Sequence, residues 1–449
     1  MTKLDLLRRH GLFTARVPRY TSYPTAPNFG TGVRDNTFRE WVEAIAPGSA
    51  ISLYIHIPFC RRLCWFCACR TQGTQTDAPL RGYLDTLRAE LDLLARHLPA
   101  DIRLSRLHWG GGTPTILPAP MITELADAIH AILPAAETHE FSVEIDPTVL
   151  DDDRLDAVAA AGLTRASLGV QDFAPEVQAA IGRDQSFEAT RFAVDGLRAR
   201  GVKNLNLDIL YGLPFQTDES LSRTVAQVLD LGPDRLALYG YAHVPWAAKR
   251  QILIPEHALP DGEARLRLFE LARDRFEGAG FETIGMDHFA RADDGLLAAH
   301  RAGTLRRNFQ GYTDDDASVL VGLGASAISR FPQGYAQNQV STGTYAKAIG
   351  EDRFATCKGH VLTADDRLNA ELIDDLMCRF EIDIDGVAER AGTSPDHVRQ
   401  RVAELDPDLA ELLDPGPRGP VLRHRELVRL VAVGFDAYAT GAARHSLAV

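Results

Sequence analysis

From Ser52 to about Phe289 the chain alternates short apolar runs with helix-period segments, which restricts its fold more than any other feature. The first run sets Leu53, Ile55 and Ile57 against Tyr54 and His56 and ends at Pro58. Further strand-like runs lie at Leu104–Trp109, Glu140–Ile145, Arg165–Gly169, Asn204–Leu210 and Arg235–Tyr239. Between and after them the spacing predicts helices near Leu80–Leu98, Met121–Leu133, Asp153–Ala161, Phe187–Arg200, Glu219–Leu231 and Glu263–Gly278. A strand near Phe281–Gly285 is expected to complete the series. Repeated βα units imply a parallel sheet clothed by helices, as a full or partial barrel. In such folds the active site lies beyond the C-terminal strand ends.

One strand end is marked at once. After Pro58 come Cys60, Cys64, Cys67 and Cys69, four of the six cysteines in the chain. Thiolates so dense in one loop suit a soft metal or an iron–sulfur cluster. Structural zinc is a weaker reading, because its thiols usually arrive as two separated pairs, and Cys357 and Cys378 stand alone. A disulfide framework belongs to small secreted domains rather than to a chain of 449 residues with few cysteines.

Other strand ends carry polar groups. Ser142, Glu144 and Asp146 share one face of their strand, opposite Phe141, Val143 and Ile145. Asn206 and Asp208 likewise oppose Leu205, Leu207 and Ile209. A carboxylate on a strand between helices calls for a partner or a ligand. The loop HWGGGTPT places Gly110, Gly111 and Gly112 after the second strand, where the backbone can approach a ligand closely.

No apolar run reaches the length of a signal peptide or membrane span, which points to a cytoplasmic chain. A formal charge of −13 argues against general nucleic-acid binding. Residues 1–30 are cationic (Lys3, Arg8, Arg9, Arg16, Arg19) and run into PRYTSYPTAP, which reads as a packed arm or a lid over a polycarboxylate substrate. Met286–Asp294, Arg306–Thr313 and Val321–Ser329 read as long loops. From about Leu362 the pattern is helical and acidic. Thr393–Leu405 has a winged-helix look, but its charge balance favours an interaction or lid role over DNA binding. The expected division is an arm (1–50), a barrel (51–290), loops and barrel extension (291–361) and a mainly helical C-terminal domain (362–449).

The spacing Cys60-x3-Cys64-x2-Cys67, with Phe66 before the last cysteine, resembles the signature of radical S-adenosylmethionine (SAM) enzymes. Beyond it, PRYTSYPTAP, YIHIPFCRRLCWFCAC, WGGGTPT, SVEIDP, SLGVQDF, NLDILYGLP, MDHFAR, RRNFQGYT, SAIS and YAQNQ run nearly end to end. Together they resemble the oxygen-independent coproporphyrinogen III oxidases of haem biosynthesis. The resemblance implies an α/β fold with a partial (β/α)6 radical SAM barrel. It also implies a 4Fe–4S cluster held by Cys60, Cys64 and Cys67 and two molecules of SAM. Tyr54, Gly111, Glu144 and Ile328 would surround the cluster-bound SAM. Phe66, Gly112, Thr113, Gln171, Arg183, Asp208 and Ala242 would contact the second. The implied reaction turns two propionates of coproporphyrinogen III into vinyl groups, in a monomer served by an electron donor such as flavodoxin or ferredoxin. A related haem chaperone is the alternative. It typically lacks a cysteine at the place of Cys69 and the PRYTSYPTAP arm, both of which this chain has.

Overall fold

Strand β1 (Ala50–Ile57) buries Ile51, Leu53, Ile55 and Ile57 and lies inside the sheet. In the computed structural model, which describes residues 2–439 and 445–449, it pairs in parallel with β2 (Arg103–Gly111), His56 opposite Gly110. Parallel pairing continues through β3 (Ala135–Ile145), β4 (Arg165–Gln171), β5 (Asn204–Tyr211) and β6 (Arg235–Gly240). Parallel neighbours need long crossovers. Helices α1 (Ala78–His97), α2 (Ala119–Ile132), α3 (Asp152–Ala160), α4 (Phe187–Ala199) and α5 (Asp218–Asp230) supply them. The six strands and their helices thus stand where the periodicity puts them.

Local chemistry starts these helices. The side chains of Asp151, Ser186 and Thr217 accept the backbone N–H groups of Arg154, Ala189 and Ser220, which the first helical turn leaves without partners. Leu87, Leu91 and Leu94 of α1, at helical spacing, bury against the sheet in one continuous core.

Two features differ from the sequence pattern. After α6 (Gly262–Gly278), the run near Phe281–Gly285 contributes only β7 (Glu282–Ile284). It pairs antiparallel with β8 (His288–Ala290), which itself runs antiparallel to β6. Three linking residues are too few for a crossover, so the chain turns back instead of adding a parallel strand. The seventh parallel strand is β9 (Leu320–Leu323), on the far side of β1, in a segment that reads as loop. Antiparallel β10 (Ile328–Phe331), β11 (Gly334–Asn338) and β12 (Thr356–Val361) extend that edge.

A second hydrophobic cluster joins the two ends of the chain. Leu7, Leu12, Val17, Tyr20 and Tyr23 pack with Leu372 and Leu376 of α7 (Ala364–Arg379), with Val431 of α10 below, and with Phe435. Helices α8 (Ile384–Ala391), α9 (Pro395–Ala403) and α10 (Val428–Val433) and a hairpin, Leu413–Pro415 with Pro420–Leu422, complete this region. The aromatic arm is therefore packed. The Tyr20 hydroxyl donates to Asp436 at 3.0 Å, the Ala437 N–H donates to the Tyr23 oxygen at 3.0 Å, and Arg429 Nε donates to the Pro18 carbonyl at 2.9 Å.

Candidate active site

The C-terminal ends of β1 to β5 and the loops that follow them enclose two adjoining cavities. One, of about 370 Å³, is lined by Cys60, Cys64 and Cys67 together with Phe66, Gly112, Thr113, Gln171, Arg183 and Asp208. The other, of about 360 Å³, is lined by Tyr54, Gly111, Glu144 and Ile328. Cys69, Gly111, Glu144 and Gln310 border both. Of the residues expected around the cluster-bound SAM, Tyr54 and Ile328 line only the second cavity while Gly111 and Glu144 line both; those expected around the second SAM line the first. Ala242 is the exception, lining neither cavity. Its carbonyl accepts from Gln251 Nε2 at 3.0 Å, while the same amide donates to the Phe66 carbonyl at 2.7 Å.

The cysteine loop is held by hydrogen bonds to sulfur. Thr113 Oγ1 donates to Cys60 Sγ at 3.6 Å, Arg183 Nη1 to Cys64 Sγ at 3.5 Å and the Cys69 N–H to Cys67 Sγ at 3.4 Å. Burial pushes the Cys60 thiol up to about 12 and also raises Cys64, against the pull of Arg183. The Cys67 thiol is lowered by its hydrogen bonding with Cys69, whose own thiol is raised by the same contact. Among the described residues, no three His, Cys, Asp or Glu side chains converge as the ligands of a single ion would. Cys60, Cys64, Cys67 and Cys69 all line the first cavity. Thiols supplied by one loop suit an iron–sulfur cluster better than the two separated pairs usual for structural zinc.

The glycines have a geometric reason. Gly111 adopts φ +112°, and a Cβ there would lie 2.6 Å from the His56 ring. At Gly112 it would lie 2.6 Å from the Phe59 carbonyl oxygen. The Gly112 and Thr113 N–H groups donate to the carbonyls of Ile57 and Phe59 at 2.9 and 2.8 Å, so the loop lies along the chain leading into Cys60.

Glu144 accepts from the Gly111 N–H at 3.0 Å and from His108 Nε2 at 3.3 Å. Burial raises its carboxyl, but the hydrogen bond and charge of His108 outweigh that and leave it below its usual value. The Tyr54 ring stacks on His108, with centroids 5.7 Å apart and planes at 15°. His56 Nε2 lies 3.2 Å from the Arg70 carbonyl, which only accepts, so Nδ1 is the bare nitrogen that takes the Tyr54 hydroxyl at 2.9 Å. Asp208 accepts from Ser167 Oγ at 3.1 Å and Asn206 Nδ2 at 2.7 Å, and burial raises its carboxyl to about 6. Arg183 bridges these parts, with Nη2 donating to the Gly169 carbonyl at 2.6 Å.

The sequence reading missed His56, His108 and a charged floor. In that floor Arg165 pairs with Glu140 at 3.2 Å and Asp294 at 3.4 Å, while Arg106 reaches Glu140 at 3.2 Å and Asp314 at 3.3 Å. The available signal was strand alternation, which puts His108 on the face opposite Leu107 and Trp109.

Fold and site together define a radical SAM protein, and the Radical SAM superfamily model matches residues 54–228. An oxygen-independent coproporphyrinogen III oxidase of Paracoccus denitrificans (strain Pd 1222) is 55% identical over the full length of both chains. One of Salmonella typhimurium is 39% identical, covering 95% of this chain and 94% of its own. A solved coproporphyrinogen III oxidase from Escherichia coli, described as a radical SAM enzyme, aligns with a TM-score of 0.88 at 36% identity. That alignment covers 94% of this chain and 100% of the other. The chain belongs to the oxygen-independent coproporphyrinogen III oxidase family. It is an oxidoreductase that works with a 4Fe–4S cluster and SAM.

Proposed function

We propose that this chain converts coproporphyrinogen III to protoporphyrinogen IX without oxygen, by oxidative decarboxylation of two propionate side chains to vinyl groups. The observation that carries the reading is the pair of adjoining cavities, one bordered by the three thiols and both bordered by Glu144 and Gly111. Cys60, Cys64 and Cys67 would hold the cluster. With SAM bound, the cluster would supply the one-electron radical chemistry that removes a hydrogen atom from the propionate β-carbon, the carboxylate leaving as carbon dioxide and the remaining electron passing to a one-electron acceptor.

The remaining chemistry falls to the chain itself. Gly111 and Gly112 let the backbone approach the methionyl part of one SAM, and Glu144 reaches its ribose hydroxyls beside Tyr54 and Ile328. Phe66, Gly112, Thr113, Gln171, Arg183, Asp208 and Ala242 position the second SAM. Supporting this, Glu144 and Asp208 both line the first cavity, each held in place by hydrogen bonds to its two carboxylate oxygens. The arm (1–50) and the helical unit (362–449) cover a barrel (51–290) extended by residues 291–361. This division is supported by the separate cluster that joins the two chain ends.

A one-electron carrier such as flavodoxin or ferredoxin serves as reductant, and the working form is a cytoplasmic monomer. Six unpaired thiols support a reducing location. No helix among the described residues is long and apolar enough to cross a membrane.

The test is anaerobic turnover after cluster reconstitution, with reductant, SAM and coproporphyrinogen III, resolving porphyrins and deoxyadenosine by chromatography. Vinyl product appearing together with deoxyadenosine is the expected result. Haem binding without decarboxylation would instead favour the chaperone reading.

A further inference from the structure

The motif RRNFQGYT forms a small hairpin, Arg306–Asn308 paired with Gly311–Thr313, and this hairpin partitions space. On one side Asn308, Phe309 and Gln310 line the cavity of Tyr54 and Glu144. On the other, Arg306 and Arg307 line a larger cavity of about 480 Å³, between the sheet edge, the aromatic arm and α7. A narrow gap bordered by Arg307, Asn308 and Phe309 lies between them. The outer cavity is within the range that encloses a sizeable organic ligand.

Its cations are not alike. Arg306 pairs with Glu371 at 3.1 Å and Asp374 at 2.9 Å, and Arg390 with Glu371 and Asp375. Arg330 donates to the Ala317 carbonyl, and Arg367 to the carbonyls of Leu362, Thr363 and Pro332. Arg307 differs: its Nε and Nη1 are buried and meet no acceptor. Its guanidinium lies 4.5 Å from the centroid of the Tyr312 ring, which fixes its position without using its N–H groups. Asp287, the carboxylate that bears on its charge, accepts instead from His288 Nδ1 at 2.7 Å.

A buried guanidinium with unused donors is costly unless an anion completes it, and a planar fork matches a carboxylate in two-point contact. We infer that Arg307 is the binding residue for a carboxylate of the substrate, holding one propionate in the outer cavity while another reaches the SAM side of the hairpin. The inference rests on the proposed reading, in which the substrate carries several propionates. It also accounts for the hairpin's position between the two cavities, since an anchor there fixes which side chain is presented.

The experiment compares wild-type protein with Arg307→Lys and Arg307→Ala, each reconstituted with cluster. Cluster absorbance and slow SAM cleavage without substrate are expected to stay at wild-type levels in both variants. The KM for coproporphyrinogen III is expected to rise about 10–100-fold in Arg307→Ala, the range for losing a hydrogen bond to a charged group. Arg307→Lys is expected to recover part of the loss, because it keeps the charge and loses the fork. An unchanged KM in Arg307→Ala would overturn the inference. So would a fall in cluster absorbance and SAM cleavage matching the fall in turnover, which marks a merely structural role. A wild-type protein that forms no vinyl product fails the underlying reading instead, and the two failures are distinguishable.

Discussion

Gly112 lies so close to the cysteine strand that an added Cβ would sit 2.6 Å from the Phe59 carbonyl oxygen and 3.0 Å from that of Ile57. Both neighbours are backbone and cannot swing aside, so Gly112→Ala must displace the segment leading into Cys60. The expected outcome is loss of most SAM cleavage with the protein still folded, read as deoxyadenosine yield beside an unaltered circular dichroism spectrum. Cys64→Ser is expected to abolish the normal cluster spectrum and turnover together, because an alcohol is a poor iron ligand. A variant that retained both would remove Cys64 from the ligand set. Strand alternation made Glu144 and Asp208 legible in the sequence, since a carboxylate facing away from Val143 or Leu207 must meet something. His56 and His108 were not legible. Alternation also exposes them, but only the fold reveals that their neighbours are Tyr54 and a carboxylate rather than water. In the charged floor Arg165 pairs with Asp294, 129 positions away, a pairing that local sequence does not encode.

A buried carboxylate lies beside the seam where β9 joins β1. Glu90 of α1, 1% exposed, accepts from the Gly324 N–H at 2.7 Å, the Tyr345 hydroxyl at 2.7 Å and Asn338 Nδ2 at 2.9 Å. Burial outweighs these bonds and raises its carboxyl to about 7. A raised folded value means the group's contribution to stability is full below its unfolded value near 4.3 and is lost as pH rises through about 7. Between pH 5.5 and 8 the loss is about 2 kcal/mol. Denaturant melts of wild type and Glu90→Gln across that range should therefore diverge in slope, with the glutamine variant flatter. Parallel slopes would place the group's titration outside the window. The same seam shows why β9 escaped the sequence reading. Leu320–Leu323 is four residues long and contains a glycine, and its partner lies more than 260 positions away in β1. Short strands of that kind are defined by the neighbour they join, whereas β1 to β6 announce themselves through length and intervening helices. The run Phe281–Gly285 has the residue type of a strand and follows the crossover helix α6, but the three residues after it turn the chain back as β8, which takes the place beside β6.

The two ends of the molecule are mutually dependent. The Tyr20 hydroxyl donates to Asp436, the Arg16 backbone pairs with Leu447, and Arg429 donates to the carbonyls of Pro18 and Leu447. Tyr20→Phe removes one of these ties and leaves Asp436 Oδ2 without its buried donor while Oδ1 keeps the Tyr438 N–H, at an expected cost of about 1–3 kcal/mol. Thermal unfolding should show a lowered midpoint with cluster absorbance unchanged before the transition. An unshifted midpoint would mean that water replaces the hydroxyl. The sequence marked this arm as too aromatic to dangle, but its partners lie at the opposite terminus and could not be named from it.

During synthesis, the interval between Tyr20 and Asp436 becomes a delay. The ribosome adds about 5–20 residues per second, so the arm waits on the order of 20–80 seconds before its partners emerge. The strands that frame the cysteine loop leave the ribosome well within that time, apart from β9 at the seam. Strands β1 to β6 are therefore made while Tyr20 still lacks Asp436, and the arm's partners follow them.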